Sequence, residues 1–244
     1  MKIGNLDVHY VSHVCFILRS PEGATLITDP FFGDGFAWQG GYERYLSPPE
    51  FPATDITACD AVFVSHIHGD HFDPDAVVAI RKQTGCRVLA SPDVIDVLLE
   101  RGEAAEGLVA LSEGTGAIVG DMAVTAMAGY DNSADEQGRS NKFSLHVTCG
   151  DTRVFYSGDC HEAPPAMRGG KVDAILWWPH SSDDTIRAFA EGIDFEQWVL
   201  MHGDRFDPGN FLCNLDMAEQ AERVAKLAPD AKIIVPERLD AFPG

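Results

Sequence analysis

Residues 62–72 read VFVSHIHGDHF. Ala61 to Ser65 is an apolar run of strand length, so HIHGDH falls on the loop at that strand's end, and strand-end loops are where folds carry chemistry. Three histidines and one aspartate stand within six residues there. A lone histidine is usually a satisfied core or surface residue, but this crowd of polar groups at a strand end has no packing rationale. Neutral imidazoles and a carboxylate converging on one turn are the donor set that zinc, iron and manganese prefer. The stretch therefore predicts a metal site.

Outward from it, short β-rich runs at Val8 to Tyr10, Val14 to Leu18 and Thr25 to Thr28 predict a meander of strands upstream. Downstream, Asp73 and Pro74 suit the N-cap and first position of a helix whose apolar side is Val77, Val78 and Ile80. Ser91 and Pro92 repeat that signal, with Val94, Ile95, Leu98 and Leu99 as the stripe and Gly102 as the stop. Strand-like runs return at Met122 to Met127, Phe143 to Thr148 and Val154 to Ser157. Strands Ala174 to Trp178 and Trp198 to Met201 then alternate with helical stretches. Asn214 is the expected cap of the last long helix, and Ile233 to Val235 the closing strand. No linker or short-period repeat interrupts the chain, and Tyr130 to Asn141 reads as a polar loop. One α/β domain with two pseudo-equivalent halves, about 1–120 and 121–244, fits this order.

Bulk composition narrows the function classes. Of 244 residues 45% are hydrophobic and 23% charged, as in an ordinary folded protein. A net charge of −20 repels a phosphate backbone and argues against nucleic acid as partner. No apolar run reaches the roughly 18 residues of a membrane span and MKIGNLDVHY lacks a signal-peptide core, so a cytoplasmic protein without membrane insertion is expected. Six widely spaced cysteines without a C-x-x-C pair point to reduced thiols.

HIHGDH resembles the H-x-H-x-D-H signature of the metallo-β-lactamase fold superfamily, a four-layer αββα sandwich with its metals between the sheet edges. SHVCFILRS and LITDPFF look like segments of the branch containing L-ascorbate-6-phosphate lactonase and N-acyl-phosphatidylethanolamine phospholipase D. FYSGDC and VLMHGD resemble the later aspartate and histidine motifs. The resemblance implies His66 and His68 as ligands of one metal, Asp70 and His71 as ligands of a second, Asp159 as the bridge and His202 as the ligand that completes the second metal's shell. One or two transition-metal ions are implied, zinc first, with manganese or iron as alternatives.

The family usually adds a histidine before the bridging aspartate, where this chain has VTAMAGYDNS with Gly129 near the expected place. His146 in that interval reads as inside a strand. Asp131, Asp135, His13, His180 or a water are the candidates to fill the gap, and the first metal is expected to be the weaker, an absent or a different one. His180 ends AILWWPH, and by similarity to tRNA 3′-processing endonucleases it would assist the leaving group. Cys160, after the bridging aspartate, looks like the GDC variant in the domain of CMP-N-acetylneuraminate hydroxylase; its bland reading is a small buried residue. Seven aromatics between Phe31 and Phe51 read equally as a wall of an apolar substrate pocket or as a satellite core.

The expected function is metal-dependent hydrolysis of a small-molecule ester, lactone, amide or phosphodiester by a metal-bound hydroxide, with Asp70 orienting it and His180 serving the leaving group. An iron oxygenase or other redox enzyme is the first alternative, and a degenerate ligand-binding member the second. Zinc or manganese with oxygen-independent turnover separates the first from the second, and weak metal content without turnover marks the third. Substrate and oligomeric state are not legible.

Overall fold

The computed structural model describes residues 1–128, 141–160, 162–179, 182–209 and 214–243. The first half supplies β1 (Lys2–Ile3), β2 (Leu6–Ser12), β3 (Cys15–Arg19), β4 (Thr25–Thr28), β5 (Gly35–Trp38), β6 (Gly41–Tyr45), β7 (Ala61–Val64), α1 (Pro74–Thr84), β8 (Arg87–Ala90), α2 (Pro92–Glu100) and β9 (Leu108–Ala110). The second supplies β10 (Gly116–Val119), β11 (Met122–Ala128), β12 (Phe143–Cys149), β13 (Thr152–Tyr156), β14 (Lys171–Trp177), α3 (Asp183–Gly192), β15 (Asp194–Leu200), β16 (Phe206–Asp207), α4 (Met217–Leu227) and β17 (Lys232–Ile234).

Two seven-stranded sheets result, ordered β1-β2-β3-β4-β7-β8-β9 and β10-β11-β12-β13-β14-β15-β17. Each begins as an antiparallel meander and turns parallel at β4 against β7 and at β13 against β14; the helical crossovers come one strand later, α1 between β7 and β8 and α3 between β14 and β15. The strand pattern of the first sheet thus recurs in the second. Parallel strands covered on both sides should be apolar throughout, and all four residues of β7 are buried: Ala61 and Phe63 join the core between the sheets, Val62 and Val64 the core under α1 and α2.

Four layers follow from those two faces. Val77 and Ile80 of α1 and Val94 and Leu98 of α2 cluster with the outer face of the first sheet. Phe16 and Phe63 meet Tyr156 across the sheets at ring-centroid distances of 6.4 and 6.0 Å. Trp177 stacks on Phe189 of α3 at 4.2 Å and lies 4.8 Å from Trp198, which closes the opposite face. This is the αββα sandwich that the motifs imply.

Local signals were mostly obeyed. Asp73 caps α1 by accepting from the amides of Asp75 and Ala76. Ser91 does not cap α2 with its side chain; its hydroxyl donates to Asp93 instead. The expectation of Asn214 as cap is corrected: Asp216 accepts from the amides of Ala218 and Glu219 and starts α4. Asn214 adopts φ 64°, a conformation asparagine tolerates, and its side chain is committed to both the amide and the carbonyl of Phe206. Two capping residues lie two positions apart, and a bond to Phe206, eight residues back, removes one from competition. Among the described residues no helix is long and apolar enough to cross a membrane, and five cysteines are free and buried.

A third sheet, β16-β6-β5, overlies one end of the sandwich. Phe31, Phe36, Tyr45 and Phe206 form its own apolar cluster, while Phe32 and Phe51 pack with the core under α1 and α2 and Tyr42 is exposed. Trp38 packs against that cluster and also stands edge-on to His68 of the histidine loop at 5.6 Å.

Candidate metal centre

Strand ends bring the motif residues together. Beyond β7 lie His66 to His71, beyond β13 Asp159, and beyond β15 His202, all at the edge where parallel strands finish. Two groups of donors form there, with ligating atoms inside each group within 4.8 Å of one another: His66, His71 and Asp159, and His13, Asp70 and His202. In the first, His66 Nε2 stands 3.3 Å from Asp159 Oδ2 and His71 Nε2 3.0 Å from Asp159 Oδ1. In the second, Asp70 Oδ2 is 3.1 Å from His202 Nε2 and 3.3 Å from His13 Nε2.

His71 links the groups, its Nε2 lying 3.2 Å from His202 Nε2 and 3.7 Å from Asp70 Oδ2. His68 is peripheral: its side chain is 36% exposed and its Nδ1 reaches Asp159 only at 3.9 Å. His180, Gly129, Asp131 and Asp135 lie outside the described residues. His146 sits inside β12 and belongs to neither group. Cys160 is buried with its thiol donating to the carbonyl of Glu162, 2.7 Å away.

The support beneath these donors is buried and far apart in sequence. Asp29, at the end of β4 with φ 35°, accepts from the Ser65 amide and hydroxyl (both 2.6 Å) and from the Tyr156 hydroxyl (2.5 Å). Its Oδ2 also lies 2.8 Å from His71 Nδ1. A carboxylate on the far ring nitrogen fixes the tautomer and aims Nε2 at the site, the arrangement that supports metal-ligating histidines. Ser65 Oγ, 2.9 Å from His66 Nδ1, does the same for that ring. Asp204 gathers the His13 amide, the hydroxyls of Tyr10 and Tyr45 and the Arg238 guanidinium. Sequence reasoning assigned no role to Asp29, Ser65, Tyr156 or Asp204. The only available signals were the Asp-Pro at a strand end and the aspartate two residues past His202.

The donors fit a cation better than they fit one another. Among the described residues, the buried His66 Nε2 and Asp159 Oδ1 find no hydrogen bond of acceptable geometry, although each costs free energy unpaired. Charge tells the same story. Burial, then the neighbouring His71, holds His66 below its ordinary value; burial, with His66 adding, brings His68 to about 4, and burial with His202 adding brings His13 to about 4. Burial would lower His71 too, but Asp159 and Asp70 outweigh it and raise His71 well above 6.5. Burial opposes ionisation of both carboxylates, yet His71 first among the histidines keeps Asp70 and Asp159 well below the usual range.

A pH profile of the metal-free chain follows. As pH falls from about 6.5 to about 4 the unfolded chain protonates imidazoles that the folded chain keeps neutral at His13, His66 and His68, so stability falls. Above 6.5 the raised His71 dominates: its contribution is complete below the unfolded value and is lost as pH rises through its folded value. The depressed carboxylates contribute above 3.8 and lose that contribution only at more acid pH. Urea unfolding in chelator should therefore show maximal stability near pH 6.5, and a midpoint that does not change between pH 4 and 6.5 would contradict the assignment.

The fold and this donor cluster define a class. The chain belongs to the β-lactamase superfamily, whose domain model matches residues 24–202. Over 192 residues, 71% of this chain, it is 29% identical to a UPF0173 metal-dependent hydrolase of Anaeromyxobacter sp. (strain K), and it spans 64% of that relative's length. Igni18, a novel metallo hydrolase from the hyperthermophilic archaeon Ignicoccus hospitalis KIN4/I, superposes with a TM-score of 0.67 over 95% of each chain at 16% identity. CmlA, a diiron β-hydroxylase from Streptomyces venezuelae, gives 0.69 over 96% of this chain and 53% of its own at 17% identity. At such identities the two structures testify to the fold alone.

Proposed function

We propose that the protein is a metal-dependent hydrolase of small molecules, acting on an ester, lactone, amide or phosphodiester. The observation that carries this reading is the pair of buried two-histidine, one-carboxylate groups, in which His66 Nε2 and Asp159 Oδ1 find no hydrogen bond of acceptable geometry among the described residues. The UPF0173 relative named a metal-dependent hydrolase supports it. His66, His71 and Asp159 would hold one ion with His68 at its rim, and Asp70 and His202 would hold the second. The donor set suits zinc first, then manganese or iron. Bound there, such an ion supplies Lewis acidity and can bring the pKa of water from 15.7 to about 7.

The chain's own residues do the rest. Asp70, kept ionised by His71, His13 and His202, orients the attacking water by accepting a hydrogen bond from it. Asp29 and Ser65 keep His71 and His66 in the tautomers that present Nε2. His180 retains the leaving-group role that similarity assigns to it; an ordinary histidine value near 6.5 suits general acid work worth about 10²- to 10⁴-fold. With its net charge of −20, the protein takes a small-molecule rather than a nucleic-acid partner and works in the cytoplasm.

The experiment is turnover of an ester, lactone, amide and phosphodiester panel in ¹⁸O-labelled water, with and without chelator. One labelled oxygen in the product and arrest by chelation are expected. Label arriving from O₂ instead would establish the iron oxygenase on the same donors. No turnover by metal-loaded protein on any member of the panel would favour a ligand-binding role.

A further inference from the structure

His13 is the one member of the two donor groups that the family pattern does not call for. We infer that His13 is a direct metal ligand, completing with Asp70 and His202 a two-histidine, one-carboxylate site for a first-row divalent ion. This rests on the reading that the strand-end cluster binds metal, and it deepens that reading by naming a ligand.

The backbone is built to deliver this ring. The pairing of β2 with β3 shifts register between Tyr10 and Ser12, and irregularities of that kind re-aim side chains beside functional sites. His13 then takes φ 50° and His202 φ 64°. Positive φ is costly for non-glycine residues and persists only where the surroundings over-determine it. Here the two strained residues are tied together, the His202 amide donating to the His13 carbonyl at 2.8 Å, while the His13 amide donates to Asp204 Oδ2 at 2.8 Å. Asp204 is in turn held by Tyr45 and Arg238. The result is a fully buried His13 ring tilted against His202 with centroids 4.3 Å apart.

The convergence of several imidazoles on one oxygen bears on ligation. Nitrogen and oxygen ligands about 2.0 to 2.2 Å from a tetrahedral ion stand roughly 3.3 to 3.6 Å from one another. Asp70 Oδ2 lies 3.3 Å from His13 Nε2, at the edge of that range, and 3.1 Å from His202 Nε2, just short of it, so a bound ion would open the second contact slightly. A third imidazole nitrogen, His71 Nε2, approaches the same oxygen at 3.7 Å. Three Nε2 atoms crowding one carboxylate oxygen are more than an orienting hydrogen bond asks for, and a shared cation accounts for the convergence. On this assignment the ion beside Asp70 has three protein ligands without any residue from 129–140. The group His66, His71 and Asp159 serves the other ion.

The test is metal affinity, read without turnover. Wild type, His13→Gln and His202→Ala are titrated with zinc against a chromophoric chelator, and folding of each metal-free variant is checked by circular dichroism. Glutamine keeps an amide donor for Asp70 near the position of Nε2 but removes the imidazole. Losing an outer partner of a ligand costs about 10- to 100-fold in affinity. His13→Gln is expected to weaken one of two zinc ions by more than 100-fold, the same ion that His202→Ala loses, leaving the other unchanged. A smaller effect overturns ligation by His13 while leaving the metal centre intact; a wild type that binds no zinc overturns both. Should the variants misfold, ¹⁵N NMR of wild-type histidine rings decides: a large zinc-induced shift at His13 Nε2 supports ligation, and an unmoved resonance overturns it.

Discussion

Asp29→Ala is expected to lower the melting temperature of the metal-free protein by roughly 6 to 20 °C. The carboxylate is buried and serves Ser65 twice, Tyr156 once and His71 once. Truncation leaves four polar groups without their acceptor in a place water does not reach. Removing one partner of a buried charged network costs about 3 to 5 kcal/mol, a large part of a typical stability of about 5 to 15 kcal/mol. For a chain of this size each kcal/mol shifts melting by about 2 to 4 °C. The alanine must also adopt the positive φ of Asp29, which adds to the loss. Calorimetry of wild type and variant in chelator measures the shift, and a change of less than about 2 °C would show that the network is not structural.

Asp159→Ala carries the largest expected effect on activity. Its two oxygens face both sides of the cluster: Oδ2 lies 3.3 Å from His66 Nε2, and Oδ1 lies 3.0 Å from His71 Nε2 and 3.5 Å from His202 Nε2. Asp70 also reaches both groups, but through one oxygen and only at 3.7 Å from His71 Nε2. Outer partners of ligands are worth about 10- to 100-fold, so loss of a group shared by both ions should cost turnover at least about 10³-fold. Because Asp159 also pairs with His66 and His71 at 3.3 and 3.0 Å, folding of the variant is checked by circular dichroism before turnover is compared. A turnover drop below about 10-fold would remove Asp159 from the centre.

What was legible in the sequence was what the chain encodes locally. HIHGDH is contiguous and follows a strand, so its grouping needs no tertiary knowledge. Asp159 and His202 could be read because each directly follows an apolar strand, and parallel strands of one sandwich end at a common edge. His13 was visible as a histidine, but its place depends on a register shift in the β2–β3 pairing and on contacts to Asp204 and His202, 191 and 189 positions away. Asp29 looks like a turn residue before proline until β4 is set beside β7 and Tyr156 arrives from the second sheet. The misplaced cap at Asn214 has a more local origin: its side chain is taken by Phe206, eight positions back, which leaves Asp216 to cap the helix. Local chemistry names the donors; pairing of distant strands decides which of them meet.

The metal centre itself is tested most directly by native mass spectrometry of the wild-type chain beside Asp159→Ala, each equilibrated with zinc. Two ions on the wild type, with at least one missing from the variant, are the expected masses. A wild-type chain that flies metal-free from excess zinc, or a variant that keeps both ions, would contradict the assignment of this cluster as a metal site.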